Sequence, residues 1–131
     1  MRRRLGDERG QATVEFALVL PILLLLILGI VELGKAWNLA QIATDAVREG
    51  TRKCVLADNT VFTDAWIETD IKNMMARAGV PTAASSVAFT GSCDGSTEGV
   101  TITLSIPYSW MFFNAAFPPI TLRSSFTMRN E

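Results

Sequence analysis

The chain has 131 residues, the size of one folded domain. Hydrophobic residues make up 49%, charged residues 19%, and the net charge is −1, so the composition is neither that of a disordered chain nor that of a nucleic-acid binder. There is no histidine, which excludes Ser-His-Asp and Cys-His catalysis and histidine metal sites, and the two cysteines alone cannot form a structural zinc site.

Residues 1–10 carry Arg2, Arg3, Arg4 and Arg9 against Asp7 and Glu8, a side-chain charge of +2. The rest of the chain holds 8 basic and 11 acidic residues, or −3. Residues 16–31 read FALVLPILLLLILGIV, with no charged or strongly polar side chain. As a helix this run spans about 24 Å, against a bilayer core of about 30 Å. Ala12, Thr13 and Val14 before it and residues 33–37 after it extend the run. A soluble surface helix would show a polar face, and this run has none. It is read as a membrane span over 11–37, its basic end held in the cytoplasm by the positive-inside rule and everything beyond it on the far side. A secretory signal peptide also begins basic and then apolar, but Gly34, Lys35, Ala36, Trp37 and Asn38 fit a small-x-small cleavage site poorly.

The helical pattern also continues past the run. Leu39, Ile42, Ala43, Ala46, Val47 and Gly50 recur at spacings of three and four, with Gln41, Asp45, Arg48, Glu49 and Arg52 on the other faces. One long helix is expected from near residue 11 to about residue 53. Pro21 should kink it. Gly29 and Gly34 are small positions where another helix can approach closely. Thr44, Asp45 and Glu49 read as a solvated face.

Glu15 is the exception in the apolar segment. A carboxylate there costs about 2.5–3.5 kcal/mol at mid-membrane and less near the interface. Solvation at headgroup depth would account for it without any function. Its context is Gly10-Gln11-Ala12-Thr13-Val14-Glu15-Phe16, after a short basic leader and before the apolar run. This resembles the processing site of type IV prepilins: a glycine, four residues, a glutamate, then an aromatic residue. The spacing alone is weakly specific; the leader and the abutting apolar helix make it strong. The wider string RGQATVEFALVLPILLLLILGIVELG resembles the TadE-like family, minor pseudopilins of the tight-adherence (Flp) pilus system. The final Met128-Arg129-Asn130-Glu131 also resembles the way many of these chains end. The resemblance is close over about residues 9–52.

That resemblance implies cleavage between Gly10 and Gln11 by a membrane-embedded prepilin peptidase. It implies that Glu15, five residues into the processed chain, pairs with the terminal amine of a neighbouring subunit, so that a charge costly alone becomes an assembly contact. The implied partners are the prepilin peptidase, a TadF-like companion and other pilus-assembly proteins, and the major Flp pilin. Major pilins of this system are very short, so a sizeable head favours a minor or assembly role over a filament repeat.

Beyond Cys54 the pattern changes. Thr63 or Asp64 can cap a second helix with Ile67, Ile71, Met74, Met75 and Ala78 as its stripe, ended by Gly79 and Pro81. Then the period falls to two. Val87 and Phe89, then Val100, Ile102, Leu104 and Ile106, then Ile120, Leu122, Phe126 and Met128 alternate with polar residues. Residues 91–99, with Asp94-Gly95, form a turn-rich loop that could close a hairpin. The expectation is an α+β head over 38–131: a helix continuation over 38–53, a short helix, and an antiparallel sheet of about three strands.

Cys54 and Cys93 are either a disulfide, which an oxidising compartment permits, or two free buried thiols. Trp110, Met111, Phe112, Phe113 and Phe117 read first as core filling, with an exposed patch for membrane or partner as the sharper alternative. Asp64, Glu68 and Asp70 read as helix-start charge ahead of a metal site. The residues offer no catalytic group, cofactor site, metal site, small-molecule substrate or nucleic-acid surface. The sequence therefore points to a single-pass inner-membrane assembly protein with its N-terminus in the cytoplasm. Two other readings stand beside it: an uncleaved envelope protein with a binding head, and, weakest, an anchored enzyme.

Overall fold

The computed structural model describes residues 7–56, 62–93 and 98–129, with side chains from Gly10 onward. Arg2, Arg3 and Arg4 of the leader, the Asp94-Gly95 turn, and Asn130 and Glu131 of the tail lie outside the described residues. Helix α1 (Asp7–Leu56) is followed by helix α2 (Asp64–Arg77) and strands β1 (Ser86–Thr90), β2 (Gly99–Tyr108) and β3 (Ile120–Arg129). The architecture is α+β, with a sheet in the order β1-β2-β3 and both pairings antiparallel.

The chain divides after Gly34 into two compact units. The first is the apolar stretch of α1, in which every residue from Gly10 to Ile27 is exposed. Helix is the form such a segment must take where no water is present, because it bonds its own backbone N–H and C=O groups. The helix runs on through Pro21, and it begins at Asp7, four residues earlier than the periodicity predicts. A Cβ at Gly29 or Gly34 would meet nothing within 4 Å.

The second unit is the head. Its core joins one stripe of α1 (Ala43, Ala46, Val47, Cys54), one of α2 (Ile67, Ile71, Met75), and Val100, Ile102, Leu104 and Ile106 of β2. Burying each of the larger aliphatic side chains contributes about 1.5–3 kcal/mol. β2 is the central strand, so its alternate residues are covered fully. The inward residues of β3, among them Leu122, Phe126 and Met128, are only half-buried at the sheet edge. The register sets Ile102 opposite Phe126 and Phe89.

The ends of α2 follow from local chemistry. The Thr63 side chain accepts a hydrogen bond from the Trp66 N–H at 3.3 Å, capping the N-terminus. At the other end Gly79 N–H donates to Ala76 O and Val80 N–H to Met75 O, both at 3.0 Å. This is a Schellman closure, and it requires the positive φ of 78° at Gly79. Val80 then packs into the core that Met75 already occupies.

Gly50 sets the separation of the two helices. A Cβ there would lie 2.7 Å from two atoms of Ile71, which has no exposed surface and cannot swing away. Gly50→Val should therefore destabilise the head by about 1–3 kcal/mol through overpacking, read as a lower thermal midpoint of the full chain in detergent. A midpoint equal to wild type would show that the helices separate without cost.

Cys54 and Cys93 form a disulfide, with Cα atoms 4.8 Å apart and a sequence separation of 39. It joins the end of α1 to the segment that follows β1. In the chain-entropy account a closed loop of this length stabilises the fold by about 4 kcal/mol. Reduction, or C54S together with C93S, should lower the thermal midpoint of the head markedly and leave the helicity of the apolar stretch unchanged. Circular dichroism on heating, with and without reductant, measures both.

Candidate functional site

The N-terminal turns of α1 hold the residues whose spacing drew attention. Gly10 and Gln11 lie inside the helix, so the peptide bond between them is helical in this chain. A Cβ at Gly10 would meet nothing within 4 Å. Glycine weakens a helix interior by about 0.8–1 kcal/mol relative to alanine, which lowers the cost of opening the backbone locally. Gln11 and Glu15 are one turn apart, and the Gln11 side-chain amide donates to Glu15 Oε1 at 3.2 Å. Both side chains are exposed, and Phe16 beside them is 63% exposed. The site is thus a carboxylate held at the surface of an apolar helix, one turn from Gln11. It can accept a charge-assisted hydrogen bond from a group outside the chain.

Further along, the three carboxylates at the start of α2 each have a different engagement. Asp64 Oδ1 accepts from the Cys93 N–H at 3.1 Å, Glu68 pairs with Lys72 at 2.6 Å, and Asp70 pairs with Lys53 at 2.8 Å. They do not converge on a common point. Thr44 departs from the expected solvated face. It is half-buried, donates to Ala40 O at 2.8 Å, and accepts from the Ser124 hydroxyl of β3 at 3.1 Å. Asp45 is exposed as expected, and Glu49 is half-exposed beside Lys53 and Arg52.

The aromatic connection between β2 and β3 departs from core filling. Met111, Phe112 and Phe117 are 64%, 48% and 55% exposed. The segment is stitched by its own bonds: Trp110 Nε1 donates to Pro118 O, and the N–H groups of Ala116 and Phe117 donate to Phe113 O, all at 2.9 Å. Trp110 meets Tyr108 edge-on with centroids 5.6 Å apart. Phe117 stands 6.0 Å from Trp110 and 6.2 Å from Phe113. Local polar bonding leaves the large apolar side chains facing outward.

One further residue carries a signal that periodicity alone passes over. Glu32 is a carboxylate 1% exposed, in the stretch Gly29-Ile30-Val31-Glu32-Leu33-Gly34. Its signal in the sequence is its position, a single acid between the apolar run and the amphipathic stripe.

Residues 10–52 match the family model described as TadE-like protein. No curated protein and no solved structure matches the chain. The matched segment holds Gly10, Glu15, the whole apolar run and the stripe that founds the head. The helix that carries it is long and apolar enough to cross a membrane once. Over residues 10–52, about a third of its length, the chain is similar to TadE-like proteins.

Proposed function

We propose that the protein is a minor pseudopilin of a tight-adherence pilus, made as a precursor and cut between Gly10 and Gln11 by a prepilin peptidase. The observation that carries this reading is the placement of Gly10, Glu15 and Phe16 on the exposed first turns of an apolar helix. The basic leader stays in the cytoplasm, the apolar stretch spans the inner membrane, and the head lies outside the cytoplasm. The Cys54–Cys93 disulfide supports that side, since such bonds persist in oxidising compartments.

Cleavage creates an amine at Gln11. Glu15 then lies about 6 Å along the helix from that new terminus. In the uncut chain the Gln11 side chain occupies one oxygen of Glu15. In an assembled bundle the amine of a neighbouring subunit takes up the carboxylate, which offsets the cost of its charge in lipid. Gly29 and Gly34 offer close approach to the same neighbours. The protein works by placement and assembly rather than by catalysis. Its partners are the peptidase, a TadF-like companion, other pilus-assembly proteins and the major Flp pilin.

The intact mass of protein extracted from peptidase-competent membranes should correspond to residues 11–131. A full-length mass would overturn processing and leave a permanently anchored envelope protein. Glu15→Ala should leave membrane insertion intact and cut the yield of assembled pili several-fold, counted by electron microscopy. Wild-type piliation in that variant would remove Glu15 from the assembly contact.

A further inference from the structure

Two of the large exposed apolar side chains of the head, Met111 and Phe112, meet Lys35. Lys35 follows the end of the apolar run by four residues of α1, about 6 Å of rise. Its ammonium donates to Met111 Sδ at 2.9 Å and stands 5.5 Å from the centre of the Phe112 ring. These contacts bring the 109–119 connection to the first residue of the head's stretch of α1. Trp37, 70% exposed, lies two residues on and roughly 200° around the helix from Lys35. Met111 and Phe112, with Lys35, therefore stand on one side of α1 and Trp37 on another, two residues apart in height. Aromatic rings and long basic side chains at one level are the composition of a bilayer interface.

We propose that the 109–119 connection is a membrane-surface anchor. Met111, Phe112 and Phe117 enter the boundary between headgroups and acyl chains of the bilayer that α1 spans, with the Lys35 ammonium at the level of the lipid phosphates. The occupant is lipid for two reasons. The connection holds large exposed apolar side chains beside Lys35, within the same compact unit, and the Lys35 ammonium complements phosphate. The internal bonds of the connection, Trp110 to Pro118 and residues 116–117 to Phe113, satisfy polar groups that entry would otherwise strip of water. The proposal rests on α1 spanning a membrane and is independent of cleavage.

The test uses three full-length chains, each keeping one tryptophan: Trp37 (W66F and W110F), Trp66 (W37F and W110F) or Trp110 (W37F and W66F). Each is reconstituted into phosphatidylcholine–phosphatidylglycerol vesicles whose lipids are brominated high on the acyl chains. Trp37 and Trp110 should be quenched about twofold or more, as interfacial aromatics are. Trp66 lies 6.0 Å from Lys53, some 27 Å further along α1 than Lys35, and should keep its fluorescence. M111S, F112S and F117S added together to the Trp110 chain should relieve its quenching while the disulfide and the head's thermal unfolding persist, and F112S alone should relieve part of it. Trp37 quenched with Trp110 unquenched overturns the anchor and leaves the span. Neither quenched overturns both. Trp110 shielded from aqueous iodide, unquenched by lipid, and exposed again on dilution into excess lipid would show a second copy on the patch and overturn the anchor. Quenching of Trp110 that survives the serine substitutions would also overturn it.

Discussion

The head depends on a single stripe of α1 whose residues are small where another element must come close. Ala43, Ala46, Val47, Gly50, Thr51 and Cys54 are all buried, and they fall at i, i+3, i+4, i+7, i+8 and i+11. Ile67 and Ile71 of α2 close on Gly50, where even a methyl group would collide. The four buried residues of β2 meet the same core. An isolated amphipathic helix of this length is marginal in water, because the first turn costs more than it returns. Here the stripe lies within a fifty-residue helix, so its turns extend a helix already nucleated. Sequence, helix and packing thus depend on one another: the stripe has a partner because the helix reaches it, and the helix persists there because the stripe is buried.

The two ends of that stripe are fastened by different chemistry. Near its start, Lys35 meets Met111 and Phe112. At its end, Cys54 is bonded to Cys93, whose N–H also binds Asp64 in the first turn of α2. Three segments distant in sequence converge there. Lys53 adds ion pairs to Asp70 at 2.8 Å and Glu49 at 3.8 Å. All three side chains are partly exposed, so each such pair contributes about 0–1 kcal/mol. They orient the helix pair more than they stabilise it. The covalent link and the core carry the stability, and the charges select one arrangement among those the core would allow.

Much of this was legible because burial imposes a period. The spacing of Ile67, Ile71 and Met75 marked α2, and Thr63 and Gly79 marked its ends by capping chemistry that acts within a few residues. The alternation of Val100, Ile102, Leu104 and Ile106 marked a strand with one covered face. What escaped was whatever depends on an element distant in sequence. Gly50 reads as one more small residue until Ile71 is placed against it. Thr44 reads as solvated until Ser124 supplies a partner. Met111, Phe112 and Phe117 have the composition of a core, yet they stand exposed on a segment closed by its own bonds, Trp110 to Pro118 among them. The spacing of Gly10 and Glu15 was legible for a different reason, since its meaning comes from resemblance and not from packing.

The glycines separate these two kinds of constraint. Gly50 is required from within, because its own chain leaves no room for a Cβ. Gly79 is also required from within, because its φ of 78° closes α2. Gly10, Gly29 and Gly34 meet neither condition: a Cβ at each would touch nothing within 4 Å, and each sits in a helix that alanine would favour by about 0.8–1 kcal/mol. Among the described residues, no contact accounts for these positions. On the proposed reading, the requirement lies with what approaches from outside. A protease needs a narrow, extensible backbone at its cleavage point, which fits Gly10. A neighbouring helix in lipid needs close backbone approach, which fits Gly29 and Gly34. Glu15 belongs with them, since its charge in an apolar helix is costly until a partner arrives. On the processed, assembling reading, these four residues lower the stability of the lone chain in favour of contacts it makes only with others.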